Sequence, residues 1–133
     1  MAAKARMLGP WIFINNPSRS TSEDLNLQVG GTVQLNAEAL RLLGDQLLSI
    51  KVEVMDEDTI SDDLVATNET FQLGVHDTNF HPFTFSVIVP HQKLNECEPF
   101  YEDRAEIYCK VSGHAGKLKT NGARTQTEKV AID

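Results

Sequence analysis

Apolar residues in this chain recur at every second position, and that period limits what it can fold into. In "LSIKVEVMD", Leu48, Ile50, Val52 and Val54 alternate with Ser49, Lys51 and Glu53. Successive side chains of a strand point to opposite faces, so the pattern buries one face and solvates the other. The same period runs through "LNLQVGGTVQL" (Leu25–Leu35), with Gly30-Gly31 marking a bulge or turn inside it. It returns in "FTFSVIVP", with Phe83, Phe85, Val87 and Val89 inward and Pro90 closing the strand, and in "EIYCKVSG", with Ile107, Cys109 and Val111 inward. "WIFIN" at residues 11–15, "LVATNETFQLG" at residues 64–74, split or bulged near Asn68, and "RTQTEKVAI" at residues 124–132 add further strands. In "AEALRLLGDQLL" the spacing of Ala37, Leu40 and Leu43 is helical, but Gly44-Asp45 interrupts it early. We read that stretch as a strand end and loop with at most one helical turn. The chain is therefore all-β: a single antiparallel β-sandwich of seven or eight strands. Alternation rather than solid apolar runs argues against a buried parallel sheet.

A length of 133 residues suits one domain over residues 1–133, with residues 1–10 as a flexible or extended N-terminal arm. Net charge is −7 and the longest basic run is "KLK" at residues 117–119, so phosphate backbones have little to bind. The apolar stretch of residues 8–14 is too short for a signal-peptide core and is broken by Gly9-Pro10. No apolar run approaches the ~18–20 residues of a transmembrane helix. The default expectation is a cytoplasmic protein without a transmembrane segment. Cys109 lies at an inward position and reads as a buried free thiol, while Cys97 lies in a polar segment.

The chemistry concentrates in "VEVMDEDTISDDLV", where a strand runs into Asp56, Glu57, Asp58, Asp62 and Asp63 before the next strand begins. Hard cations such as Ca2+ take 6–8 oxygen ligands, and a loop that gathers carboxylates supplies them. An EF-hand does not fit, because Ser61 stands where its glycine belongs and Thr67 where its bidentate glutamate belongs. The stretch resembles the third calcium loop of C2 domains, in which a β-branched strand leads into Asp-x-Asp and then a late Asp or Asp-Asp before an apolar pair. That resemblance implies a C2-like sandwich, with Asp56, Asp58 and one of Asp62 or Asp63 as Ca2+ ligands, and it implies engagement of an anionic lipid surface. Without it the sandwich is equally immunoglobulin-like. The same carboxylates also suit a solvated turn, since Asp hydrogen-bonds its own backbone and charge at strand ends discourages edge pairing.

Enzymatic signatures are missing: there is no G-x-S-x-G, H-E-x-x-H or Walker pattern. Phe100 and Tyr101, in an acidic connection, fit either a partner anchor or an end cover of the sandwich. The expected function is a non-catalytic binding module with a Ca2+ site, engaging a membrane surface or a protein partner. The alternative is a metal-free structural or assembly β-sandwich that self-associates. A small hydrolase is the remote third class.

Overall fold

The alternating segments pair into two antiparallel sheets that face each other across one core. The computed structural model describes residues 2–58, 60–96 and 103–132. Among these the elements are β1 (Ala5–Ile14), β2 (Leu25–Leu35), α1 (Ala37–Leu43), β3 (Leu48–Asp56), β4 (Asp63–Leu73), β5 (His81–Val89), α2 (His91–Asn95), β6 (Arg104–Ala115), β7 (Leu118–Lys119), β8 (Ala123–Arg124) and β9 (Glu128–Ala131). One sheet has the order β1-β2-β5; the other runs β4-β3-β6, with β7, β8 and β9 all on the far side of β6.

The all-β sandwich agrees with the sequence, but there are nine strands among the described residues rather than seven or eight. The difference lies in the last strand, which runs back along β6 in pieces. β7 pairs with residues 114–115, β8 with 110–111 and β9 with 104–107. The gap between β8 and β9 is filled by Thr125, whose hydroxyl accepts the Cys109 N–H at 2.9 Å while its own N–H donates to the Cys109 carbonyl at 2.9 Å. A side chain thus substitutes for a backbone partner, and the buried amide stays satisfied.

Three expectations are corrected. Residues 5–10 are not an arm: pairing starts at Ala5 opposite Leu35, and the irregularity in β1 is confined to Gly9-Pro10, between Leu8 and Trp11. Gly9 has φ +51°, which a side chain would strain. Conversely, β2 passes through Gly30-Gly31 without a turn and in unbroken register with β5; the bulge of this stretch lies on β1, opposite Gly31. Gly30 is there for space, since a Cβ would lie 2.3 Å from the Trp11 indole. Finally, α1 has seven residues, longer than the single turn expected. Asn36 caps it by accepting the Ala39 N–H at 2.9 Å, Glu38 and Arg41 pair at 2.6 Å, and Ala39 and Leu43 are fully buried. Tertiary burial offsets the short length. The bulge expected near Asn68 is present: β4 carries one extra residue between Asn68 and Phe71 opposite Val52 and Ile50.

Leu27, Val29, Leu48, Ile50, Val52, Val54, Ile107, Cys109 and Val111 are all 0% exposed, so the inward parity of β2, β3 and β6 is as the alternation requires. Cys109 is a free thiol within this core; Cys97 falls outside the described residues. The edge of the first sheet is closed by side chains. The Asn121 carboxamide accepts the Met7 N–H at 2.9 Å and donates to the Met7 carbonyl at 3.2 Å. Gln126 does the same for Ile12, at 3.2 and 2.6 Å. Two amide side chains thereby imitate a ladder along β1. Among the described residues, no helix is long and apolar enough to cross a membrane.

Candidate functional site

The acidic turn joins β3 to β4 at one end of the sandwich. The ladder continues briefly past β3, because the Glu57 N–H donates to the Glu106 carbonyl at 2.7 Å. Asp56 pairs with Asp63 across the mouth of the turn. Asp56 keeps the inward parity of Val52 and Val54, lies opposite inward Ile107, and is fully buried. Beyond it the chain curls: the Asp58 N–H donates to an Asp62 carboxylate oxygen at 3.1 Å, closing the loop on itself. Asp58, Asp62 and Asp63 are exposed, as is Ile60 at the tip.

The curl lays Asp62 over the outer face of the second sheet. Met55 and Tyr108, partners across β3 and β6, have outward parity and are nonetheless buried, at 8% and 2% exposure. The Tyr108 hydroxyl donates to the second oxygen of Asp62. Above the ring lies the Arg124 guanidinium, 3.7 Å from the centroid, a cation–π contact. Arg124 also pairs with Glu57 at 3.0 Å and donates to the Thr127 hydroxyl at 3.1 Å, and that hydroxyl donates to the other Glu57 oxygen at 3.0 Å. The break between β8 and β9 thus sends Gln126 to β1 and Thr127 to the turn.

The electrostatics follow from these contacts. The Tyr108 hydroxyl, and then the Asp58 N–H, hold the Asp62 carboxyl below the usual carboxylate range, because both bonds favour its charged form. Burial, and then the facing Asp62, push the Tyr108 hydroxyl up to about 12. Negative charge in the turn is therefore met by groups of the chain itself: Asp62 by a hydroxyl and an amide, Glu57 by a guanidinium and a hydroxyl.

The four carboxylates expected as metal ligands divide into two pairs. Asp58 and Asp62 are joined through a backbone amide, and Asp56 and Asp63 are cross-strand partners. Asp56 is directed into the sandwich, whereas Asp62 is bonded to Tyr108 on the outer face of the same sheet. Among the described residues, no group of three or more His, Cys, Asp or Glu side chains is arranged to hold a metal ion. Asp77, in a separate loop, accepts the Asn79 N–H at 2.9 Å and meets His81 at 2.8 Å. Phe100 and Tyr101 lie outside the described residues.

Sequence reasoning missed Tyr108, Arg124 and Thr127. One signal was available: in "EIYCKV" the tyrosine occupies an outward position, where a large ring needs a cover. Comparison of the chain with protein-family models, curated proteins and solved structures gives no match.

Proposed function

We propose that this protein is a non-catalytic β-sandwich interaction module whose acidic turn is a structural latch that works without a metal ion. The observation that carries this reading is the internal compensation of the turn, with Asp62 bonded to Tyr108 and Glu57 to Arg124 and Thr127. Carboxylates already supplied with donors gain less from a cation, because the ion must displace those bonds before it coordinates. Other titratable pairs serve the framework in the same way: His91 on Asp24 ties α2 to the loop before β2 at 2.8 Å, and His81 on Asp77 closes a loop.

The test is a pair of thermal melts, one in EDTA and one in about 1 mM CaCl2. Ligand at ~100 times its Kd adds ~2.7 kcal/mol to the native state, a shift that is easily read. Coincident melts are expected. A calcium-dependent rise that Asp56→Asn with Asp63→Asn abolishes would overturn the metal-free reading.

One observation favours a second reading, the Ca2+ module of the C2-like resemblance. Asp56 and Asp63 stand directly opposite on adjacent strands, and like charges so placed repel. A Ca2+ ion held by these two together with Asp58 would relieve that repulsion and offer an anionic lipid headgroup an open coordination site. Under this reading the protein sediments with anionic liposomes in calcium and not in EDTA.

A further inference from the structure

We infer that the outer face of the β1-β2-β5 sheet is a carbohydrate-binding platform, built on Trp11 and Phe13 and taking an uncharged glycan chain. The inference rests on the interaction-module reading and gives that module a ligand class.

Two observations carry it. The first is the seating of Trp11. Its register partner is Gly30, and a Cβ on Gly30 would lie 2.3 Å from two indole carbons and 2.6 Å from the indole nitrogen. The ring therefore lies directly on the backbone of the central strand, and it is still 41% exposed. A flat indole with one side on the sheet and the other toward solvent is a rigid, preformed surface. Phe13, 62% exposed, stands two residues further along the same face, about 6.8 Å on. The C–H face of a pyranose rests well on a π-face, whose quadrupole is negative there.

The second observation is charge. Besides the two rings, the outward positions around them are Asn26, Gln28, Thr84 and Ser86, all neutral donors and acceptors, with the apolar Ile88, 54% exposed, beside Asn26, and Leu8 and Pro82 flanking Thr32. On β1, β2 and β5 the only charged outward residue is Arg6, at one end. The other sheet is the opposite: Lys51 pairs with Glu69 and Lys129 with Glu106 across its outer face, and His114 meets Glu69 at 3.8 Å. In a chain of net charge −7, a neutral amide-and-hydroxyl field around exposed aromatics is suited to a neutral polyhydroxylated ligand. It lacks the cations an anionic ligand requires. The polar groups are also pre-set: the Gln28 carbonyl oxygen accepts from Asn15 at 3.3 Å and from Ser86 at 3.2 Å. This fixes the amide and turns its NH2, which has no acceptor among the described residues, toward a ligand.

Trp11 is the only tryptophan, so its emission reports on this face alone. The full chain is titrated in EDTA with cellohexaose, xylohexaose and maltohexaose, and each titration is repeated with calcium. At least one glycan is expected to shift the Trp11 emission saturably and independently of salt. Phe13→Ala and Gln28→Ala, both surface changes, should weaken that binding about three- to tenfold, the usual worth of one aromatic or polar contact, with the melting temperature retained. Absence of saturable binding to all three glycans overturns the inference, as does binding that survives Phe13→Ala and Gln28→Ala together. A dimer in sedimentation equilibrium that Phe13→Ala dissociates would overturn it as well, because the face would then be self-complementary. Binding that requires calcium would support the platform and count against the metal-free reading, so the two fail separately.

Discussion

Replacing Thr125 with valine tests how the C-terminal strand is held together. Thr125 is 4% exposed, and its hydroxyl is the acceptor for the buried Cys109 N–H. Valine has nearly the same shape, so the packing stays and the acceptor goes. Leaving a buried N–H unsatisfied costs about 1–3 kcal/mol, and the added methyl recovers up to ~0.8 kcal/mol. The expected net loss is about 1.5 kcal/mol. With an unfolding entropy of about 2.1 cal/mol/K per residue, 133 residues give about 0.28 kcal/mol per kelvin, and the melting temperature falls by about 5 °C. The assay combines calorimetry with amide hydrogen exchange by NMR. The Cys109 amide should lose more protection than its neighbours in β6, and Thr125→Ser, which keeps the oxygen, should retain that protection whatever its effect on melting. A valine variant within about 1 °C of wild type, or unchanged protection at Cys109, would refute the reasoning.

Three further outcomes are expected. The folded Asp62 carboxyl is held below its unfolded value, so its stabilisation is complete above the ordinary carboxylate range and is lost as pH falls through the depressed value; Asp62→Asn should flatten the acid limb of a melting-temperature profile, and an unchanged limb counts against the latch. Tyr108 is raised from 10 to about 12, so its contribution is present below pH 10 and disappears between pH 10 and 12; Tyr108→Phe should remove that part of the alkaline fall, checked by melts between these values. The Cys109 thiol, pushed up to about 12 by burial, should resist a thiol-reactive disulfide reagent at neutral pH in a Cys97→Ser background and react fully in denaturant; rapid native labelling would contradict its core position.

What the sequence made legible is what a period of two can carry. Leu48, Ile50, Val52 and Val54 are inward because alternation allows nothing else once one face is buried. Gly30-Gly31 misled because glycine pairs commonly mark turns, whereas here both make room for rings, Trp11 over one and Phe83 over the other. That requirement involves strands distant in sequence and leaves no local trace. The short helix α1 escaped for a related reason: its stability comes from burying Ala39 and Leu43 and from the Asn36 cap rather than from its own length. At the acidic turn the residue types were visible but their directions were not. Asp56 and Asp62 are six apart in sequence, and only the curl of the loop over Tyr108 separates them to opposite sides of the sheet.

The amides of Asn121 and Gln126 have a consequence for the order of events during synthesis. Each grips a backbone position 114 residues earlier, so β1 leaves the ribosome long before its guards exist. While it waits, β1 can pair with β2 on one side, but its other edge displays bare N–H and C=O groups, a template for any neighbouring nascent chain. Residues from Asn121 onward can close that edge only after they have emerged. A chain stalled short of them would keep the outer edge of β1 open for pairing.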